Sequence, residues 1–94
     1  MYLSFQRVAS GASAKTVADL TVPAKATHAE LQADTQSIRY TMDGTAPASD
    51  SGMSLLTTSD PKTFLIEDVK RIKFIQGAGG AGGLNIHYFA GRDI

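Results

Sequence analysis

The 94-residue sequence has no cysteine and no tryptophan, and its charges cancel, with nine basic and nine acidic side chains. Without cysteine there is no disulfide framework, no thiolate nucleophile and no zinc site of the cysteine type. Zero net charge argues against nucleic acid as the main partner, because phosphate binding needs clustered Lys and Arg. No apolar run approaches the roughly 18 residues of a membrane span, and MYLSFQRVAS does not have the pattern of a signal peptide. We therefore expect no nucleic-acid partner and no membrane partner.

Small side chains are the abundant part of the composition, since Ala, Gly, Thr and Ser make up 39 residues. Two Glu stand against seven Asp, and this ratio favours strands and turns over helices, because Glu prefers helix interiors and Asp prefers turns. The length fits a single domain, 1–94, with a thin core, because a chain of this size buries only about 60% of its unfolded surface.

Short runs in which apolar and polar residues alternate indicate half-buried strands. In 84–89, for example, Asn85, His87 and Phe89 face one way and the intervening apolar residues face the other. The same alternation occurs at 27–33, 38–42 and 71–75, and weaker strand candidates lie at 3–8, 17–22, 54–57 and 63–66. We predict an all-β fold, a small antiparallel β-sandwich of jelly-roll-like type with seven to eight short strands.

Two segments allow an alternative structure. Residues 12–20 could form a helix because of their Ala content, although Thr16, Val17 and the lack of an apolar stripe count against it. Residues 1–8 are predicted to be the first strand of the core, and the alternative is an edge strand or an arm that docks on a partner.

The glycine-rich segment 77–82 fits the spacing G-x-G-x-x-G. A dinucleotide site would need this segment to open a helix whose N-terminus holds the pyrophosphate. The residues that follow have a strand pattern instead, so we interpret the segment as a loop that joins the last two strands as a hairpin. Gly79 and Gly80 would allow a neighbouring subunit to approach the backbone closely.

The remaining polar residues do not define a catalytic or metal site. Asp43, Asp50 and Asp60 have spacings that match no calcium loop, and turn capping explains each of them. His28 and His87 are far apart and lack a third ligand, so we interpret both as surface residues. No motif fixes a nucleophile. We predict a protein that is not an enzyme and that needs no cofactor.

Residues 37–47, SIRYTMDGTAP, resemble the "IxYTxDGTxPT" strand-and-turn signature of small immunoglobulin-like β-sandwich modules. Those modules include the accessory C-terminal domain of chitobiases and a group of short structural proteins of tailed phages. In this segment Asp43-Gly44 would break the strand and Pro47 would fix the outgoing loop. The match departs from the signature at Ala48, where a Thr is common.

The order of segments over residues 27–90 is similar to that of small virion proteins of tailed phages, with a Gly-aliphatic stretch at 52–55 and an "LNVxYF"-like strand at 84–89. The resemblance implies a capsid decoration (cement) protein on the virion surface, made in the host cytoplasm and bound to the major capsid protein. It also implies self-association, for which a trimer is a common arrangement. A neck- or tail-associated virion protein is an alternative.

Candidate partner contacts come from the N-terminal segment, the densest cationic group and the glycine-rich loop: Tyr2, Phe5, Lys70, Arg71, Lys73, Gly79 and Gly80. The other alternative is a carbohydrate-binding accessory module, which the chitobiase-like turn suggests. Sugar binding needs exposed aromatic rings, and most aromatic residues of this chain lie at positions predicted to face the core.

Overall fold

The computed structural model describes residues 1–91 and consists mainly of short β-strands. They are β1 (Tyr2–Ala9), β2 (Lys15–Thr16), β3 (His28–Asp34), β4 (Ile38–Thr41), β5 (Met53–Leu55), β6 (Lys62–Leu65), β7 (Lys73–Gln76) and β8 (Gly83–Phe89). In the described residues, the helical elements are a 3-10 turn at Val17–Asp19 and a single-turn helix, α1 (Ile66–Val69). The all-β prediction with seven to eight short strands is confirmed.

The strands form two antiparallel sheets of four strands each. Sheet I has the order β1-β8-β3-β6, and sheet II has the order β2-β7-β4-β5. Strands pair in succession from the two ends of the chain toward its middle: β1 with β8, β2 with β7, β3 with β6 and β4 with β5. This pairing is that of a jelly roll. It differs from the order in immunoglobulin domains, where the sheets hold four and three strands.

Side chains from both sheets fill the space between them. Leu84, Ile86 and Tyr88 of β8 are at most 1% exposed, as the alternation predicts, and Ile38 and Phe74 of sheet II are fully buried. Burial of a side chain of this size stabilises the fold by about 1.5–3 kcal/mol. The core is the single layer in which these two sets of side chains meet.

The segment after β4 forms the turn that the sequence predicts. Asp43 accepts a hydrogen bond from the backbone N–H of Thr45 at 2.9 Å, and this bond lowers the pKa of the Asp43 carboxyl because it stabilises the charged form. Gly44 has a φ of 89°, a conformation that glycine adopts without a steric penalty. Pro47 is buried, and Met42 packs half-buried against the core just after the end of β4.

The connection from sheet II to sheet I after β2 differs from the prediction. The strand expected at 17–22 is wrong, because the chain forms a 3-10 turn there. The Thr16 hydroxyl accepts a hydrogen bond from Ala18 N–H at 3.2 Å, and the Asp19 carboxylate accepts one from Thr16 N–H at 2.9 Å. This capping box satisfies the backbone locally. It ends the strand after two residues, and the alternative helix at 12–20 does not form either.

The glycine-rich loop 77–82 does not close a hairpin, and that prediction is wrong. The loop leaves sheet II after β7 and enters sheet I at β8, so it crosses between the sheets. A Cβ atom at Gly82 would lie 2.7 Å from the backbone oxygens of Asp34 and Gln36. Glycine therefore lets the loop lie against the β3–β4 turn. Ser10 holds it there, because Ser10 N–H donates to Gly82 O and Gly82 N–H donates to Ser10 Oγ, both at 2.8 Å.

The N-terminal segment is at once a core strand and an edge strand. The Met1 amino group donates to Ala90 O at 2.6 Å, and Ala90 N–H donates to Met1 O at 2.7 Å. β1 then pairs with β8 along its length, while Leu3 and Val8 pack against the core. The prediction of a first core strand is confirmed, and the segment is also the edge strand of the alternative. Docking of this segment on a partner stays a prediction.

Candidate interaction surface

The outer face of sheet I presents large apolar side chains to solvent. The strand register aligns outward residues in two rows across the sheet, Tyr2–Phe89–His28–Leu65 and Phe5–His87–Glu30–Thr63. Tyr2 is 52% exposed, Phe5 is 53% exposed and Leu65 is 54% exposed. Contiguous exposed apolar surface of this kind marks an interaction site more often than a scattered apolar residue does.

Four rings of these rows pack together, and we call them the aromatic patch: Tyr2, Phe5, His87 and Phe89. His87 lies at the centre, with ring-centroid distances of 5.4 Å to Tyr2, 5.4 Å to Phe5 and 6.3 Å to Phe89. The Tyr2 and Phe89 rings are 5.9 Å apart. All four contacts are edge-to-face, the arrangement that aromatic quadrupoles favour. The patch is thus an ordered set of rings fixed by the pairing of β1 with β8.

A shallow depression of about 150 Å³ lies beside the aromatic patch. Its walls come from three adjacent strands of sheet I: Phe5, Glu30, Gln32, Asn85, Ile86 and His87. The Glu30 Oε1 atom lies 3.4 Å from His87 Nδ1. The depression therefore places a carboxylate, an imidazole and two amides beside the half-exposed Phe5 ring. It can bind a group that combines a polar edge with an apolar surface.

A charged cluster around Asp34 lies at the other end of the outer face of sheet I. The Arg7 guanidinium donates to both carboxylate oxygens of Asp34 at 2.8 Å. Asn85 Nδ2 donates to the same carboxylate at 2.5 Å, and the Thr35 hydroxyl donates at 2.9 Å. These bonds hold the pKa of the Asp34 carboxyl well below its usual range, and the bond from Arg7 has the largest effect. The charge of Arg7 is therefore compensated within the chain.

The predicted contact residues lie in three separate places. Tyr2 and Phe5 come together in the aromatic patch. Lys70 and Arg71 are exposed and directly follow α1, and Lys73 begins β7 in sheet II. The structure thus does not place the cationic group on the same face as the two rings.

Gly79 and Gly80 lie in the loop after β7, beyond the end of the strand opposite to Lys73. Gly79 is exposed, and Gly80 has a φ of 106°. The length of β7 therefore separates the glycine pair from the cationic group.

Phe89, His87 and Glu30 are not among the contact residues that the sequence predicts. The alternation in β8 does place His87 and Phe89 on the outward side, and this was the available signal. The pairing of β1 with β8 joins the two ends of the chain, and periodicity within a strand does not reveal such a partner. His87 is consequently part of a ring cluster rather than an isolated surface residue.

The described residues contain neither a metal-binding cluster nor a membrane-spanning helix. Within residues 1–91, no three His, Asp or Glu side chains form a group that could hold a metal ion, so Asp43, Asp50 and Asp60 are not such a group. No helix among these residues is long and apolar enough to cross a membrane.

Comparison with protein-family models, with curated proteins and with solved structures finds no match to this chain. The resemblance of residues 37–47 to phage and chitobiase modules stays a prediction from the sequence. A function is therefore inferred from the jelly-roll topology, the aromatic patch and that resemblance.

Proposed function

We propose that the chain is a non-enzymatic structural protein of a tailed phage, a decoration (cement) protein that binds the outer capsid shell through the aromatic patch. The observation that carries this proposal is the exposure of Tyr2 and Phe5, each about half exposed on one face of sheet I. Aromatic side chains are enriched in the buried centres of protein interfaces. A partner that covers these two rings would remove a large apolar area from water.

The fold supports this proposal without deciding it. Jelly rolls occur in viral capsid proteins and also in lectins, and a fold of this kind serves many functions. The resemblance of residues 37–47 and of the later segments to phage virion proteins is what selects the capsid as partner.

The thin core gives an independent reason for attachment. A domain of this length buries a smaller fraction of its surface than a larger one and has correspondingly little stability. A partner that binds only the folded state stabilises it by mass action. Attachment to a shell would thus stabilise both the shell and this domain.

The first experiment counts copies of the chain in purified phage particles by quantitative mass spectrometry, relative to the major capsid protein. A ratio near one, or a simple fraction of it, supports a shell protein. A handful of copies would move the chain to the neck or tail, which overturns the decoration role. Complete absence from particles would overturn any virion role.

A second experiment tests the surface itself, using particles that lack the chain and purified protein added back. The double variant Tyr2→Ser/Phe5→Ser should bind particles at least about thirtyfold more weakly, because the loss of even one hot-spot residue costs about 2 kcal/mol or more. The matched control is Met53→Ser/Leu56→Ser, since these two residues are also exposed, at 61% and 45%, and lie outside sheet I. Equal binding by both double variants would show that the aromatic patch is not the attachment surface.

A carbohydrate-binding module is the second candidate, and the depression beside Phe5 is the observation that favours it. A half-exposed ring next to Glu30 and Gln32 offers an apolar contact together with polar groups, which is the combination that a sugar ring requires. Binding to chitin or to other polysaccharides that Phe5→Ser abolishes would support this candidate. Tight, stoichiometric binding to capsids would count against it.

A further inference from the structure

The edges of the two sheets differ in how well they are guarded against pairing with another strand. Unpaired edges are usually protected by short length, by proline or by a free charge. β2 has two residues and β5 has three, while the four-residue β6 follows Pro61 and begins with Lys62. β1 contains no proline and no lysine. A bulge between Tyr2 and Ser4 interrupts its pairing with β8, and the regular part from Ser4 to Ala9 has six residues and is about 20 Å long.

The backbone groups on the free side of β1 are available for pairing. Ser10 donates its N–H to Gly82 across the β1–β8 ladder, and in antiparallel pairs alternate residues direct both backbone groups to the partner. Phe5, Arg7 and Ala9 therefore direct their N–H and C=O groups away from β8, and all three are exposed.

Within residues 1–91, β8 is the only strand that pairs with β1. The β2–β3 connection reaches β1 from the core side, where Thr21 N–H donates to the Gln6 side chain at 2.9 Å. It makes no backbone hydrogen bond to β1 in this part of the chain. The edge is thus open along the regular part of β1.

We infer that β1 pairs antiparallel with β1 of a second copy of this chain, so that two sheets I join into one continuous sheet across a twofold axis. Two identical strands present identical charges, so self-pairing requires a strand without uncompensated charge. The only charged residue of β1 is Arg7, and Asp34 of the same chain compensates it through two bonds of 2.8 Å. β6 instead carries Lys62, which makes no salt bridge within residues 1–91.

Such a dimer places both aromatic patches on the same side, because the twofold axis that relates neighbouring antiparallel strands is perpendicular to the sheet. Two patches on one rigid sheet would give a bivalent surface. Self-association through β1 does not depend on the proposed attachment to a capsid. It also differs from the trimer that the family resemblance implies.

Sedimentation velocity of the full chain, from low micromolar to submillimolar concentration, tests the inference. The wild-type protein should form a dimer in a concentration-dependent way. Arg7→Pro should weaken dimerisation about tenfold or more, because it removes an outward N–H from each copy while the β1–β8 ladder keeps its bonds. Arg7→Ala is the matched control, since it loses the same side chain but keeps the N–H. Ala9→Pro provides the same test if Arg7→Pro does not fold.

Amide hydrogen exchange provides a residue-resolved readout. In a monomer the amides of Gln6 and Val8 should be protected and those of Phe5, Arg7 and Ala9 should exchange, whereas in the dimer both sets should be protected. A wild-type monomer at every concentration, or a trimer whose Phe5, Arg7 and Ala9 amides exchange freely, would overturn the inference. Protection of these amides that appears only on addition of capsids would assign the edge to a capsid strand and would equally overturn it. None of these results alters the copy number in virions, so the two proposals fail separately.

Discussion

The two outer faces of the sandwich have opposite character, although one chain builds both. On sheet II the outward residues are polar or cationic apart from Ile75, with Thr16, Lys73 and Thr41 in one row and Ile75, Arg39 and Ser54 in the next. On sheet I the corresponding positions hold the aromatic patch. Polar and cationic side chains remain hydrated on a free surface, whereas half-exposed rings gain free energy when a partner covers them. The comparison therefore favours sheet I over sheet II as the contact surface in the proposed function.

The strands of the two sheets also differ in length. β1, β3 and β8 of sheet I have eight, seven and seven residues, whereas no strand of sheet II exceeds four. A four-residue strand such as β7 is sufficient to bury Phe74 completely. The longer strands of sheet I thus provide a broad outer surface in addition to their share of the core.

The largest expected effect comes from comparing one substitution, phenylalanine to alanine, in the core of sheet II and on the outer face of sheet I. Phe74→Ala in sheet II should lower the free energy of unfolding by about 3–5 kcal/mol, because it leaves a cavity in the core. Phe5→Ala on the outer face of sheet I should lower it by only about 1 kcal/mol, because the Phe5 ring is half exposed and its edge-to-face contact with His87 contributes about 0.5–1.5 kcal/mol. Urea unfolding followed by circular dichroism measures both. Equal destabilisation by the two variants would show that Phe5 is a core residue and would remove the basis for a contact surface.

The next effect concerns the loop that crosses between the sheets. Gly82→Ala should destabilise the fold by about 1–3 kcal/mol, because its Cβ atom would lie 2.7 Å from two backbone oxygens that cannot move independently. Gly79→Ala is the control, since its Cβ atom would meet only the flexible side chain of Gln36. Thermal unfolding midpoints of the two variants distinguish the cases. Equal midpoints would mean that the loop is not held against the β3–β4 turn.

The alternation of apolar and polar residues predicted the core side of β8 and the sandwich as a whole. It succeeded because Leu84, Ile86 and Tyr88 are buried on one face only, and a half-buried strand imposes a period of two on its residues. The same pattern did not indicate which sheet a strand enters. The sequence pattern therefore predicts a hairpin at 77–82, whereas Ser10 and the β3–β4 turn hold this loop between the sheets.

The aromatic patch was predictable only in part. Tyr2 and Phe5 were candidate contacts because of their place in the N-terminal segment, whereas His87 and Phe89 join them through a register between the two ends of the chain. The local pattern does not predict the capping box of Thr16 either, because the short-range hydrogen bonds of the box compete with the strand that this pattern favours. Long-range pairing and local capping were thus the two kinds of information that the pattern lacked.

A smaller effect on the free energy of unfolding is expected from removing the hydroxyl of an inward tyrosine, with an outward tyrosine on the paired strand for comparison. The Tyr88 hydroxyl donates to Gln6 Oε1 at 3.0 Å, so Tyr88→Phe should cost about 1 kcal/mol at neutral pH. Tyr2→Phe is the control on the outer face.

The difference in stability between wild type and Tyr88→Phe should depend on pH. Burial raises the pKa of Tyr88 to about 12, above the value of about 10 in the unfolded chain. The resulting stabilisation is fully present below about pH 10 and is lost as the pH rises from about 10 to about 12. Urea unfolding at neutral and alkaline pH should show that wild type loses more stability than Tyr88→Phe. Parallel losses in both proteins would contradict the assigned burial of this hydroxyl.

The smallest effect concerns the charged end of the outer face of sheet I. Because the pKa of Asp34 is lowered in the folded state, its stabilisation is present above about pH 4, the range of an unfolded carboxyl, and is lost as the pH falls below that. Asp34→Asn should therefore flatten the acid dependence of unfolding, by a small amount because exposed ion pairs contribute little. Asp50→Asn, at an exposed loop position, is the control.

At neutral pH the same Asp34→Asn variant leaves Arg7 without its counter-charge on the β1 edge, so it should weaken self-association although it leaves the aromatic patch intact. Unchanged dimerisation in this variant would show that charge compensation at Arg7 is not what makes β1 able to pair with its own copy.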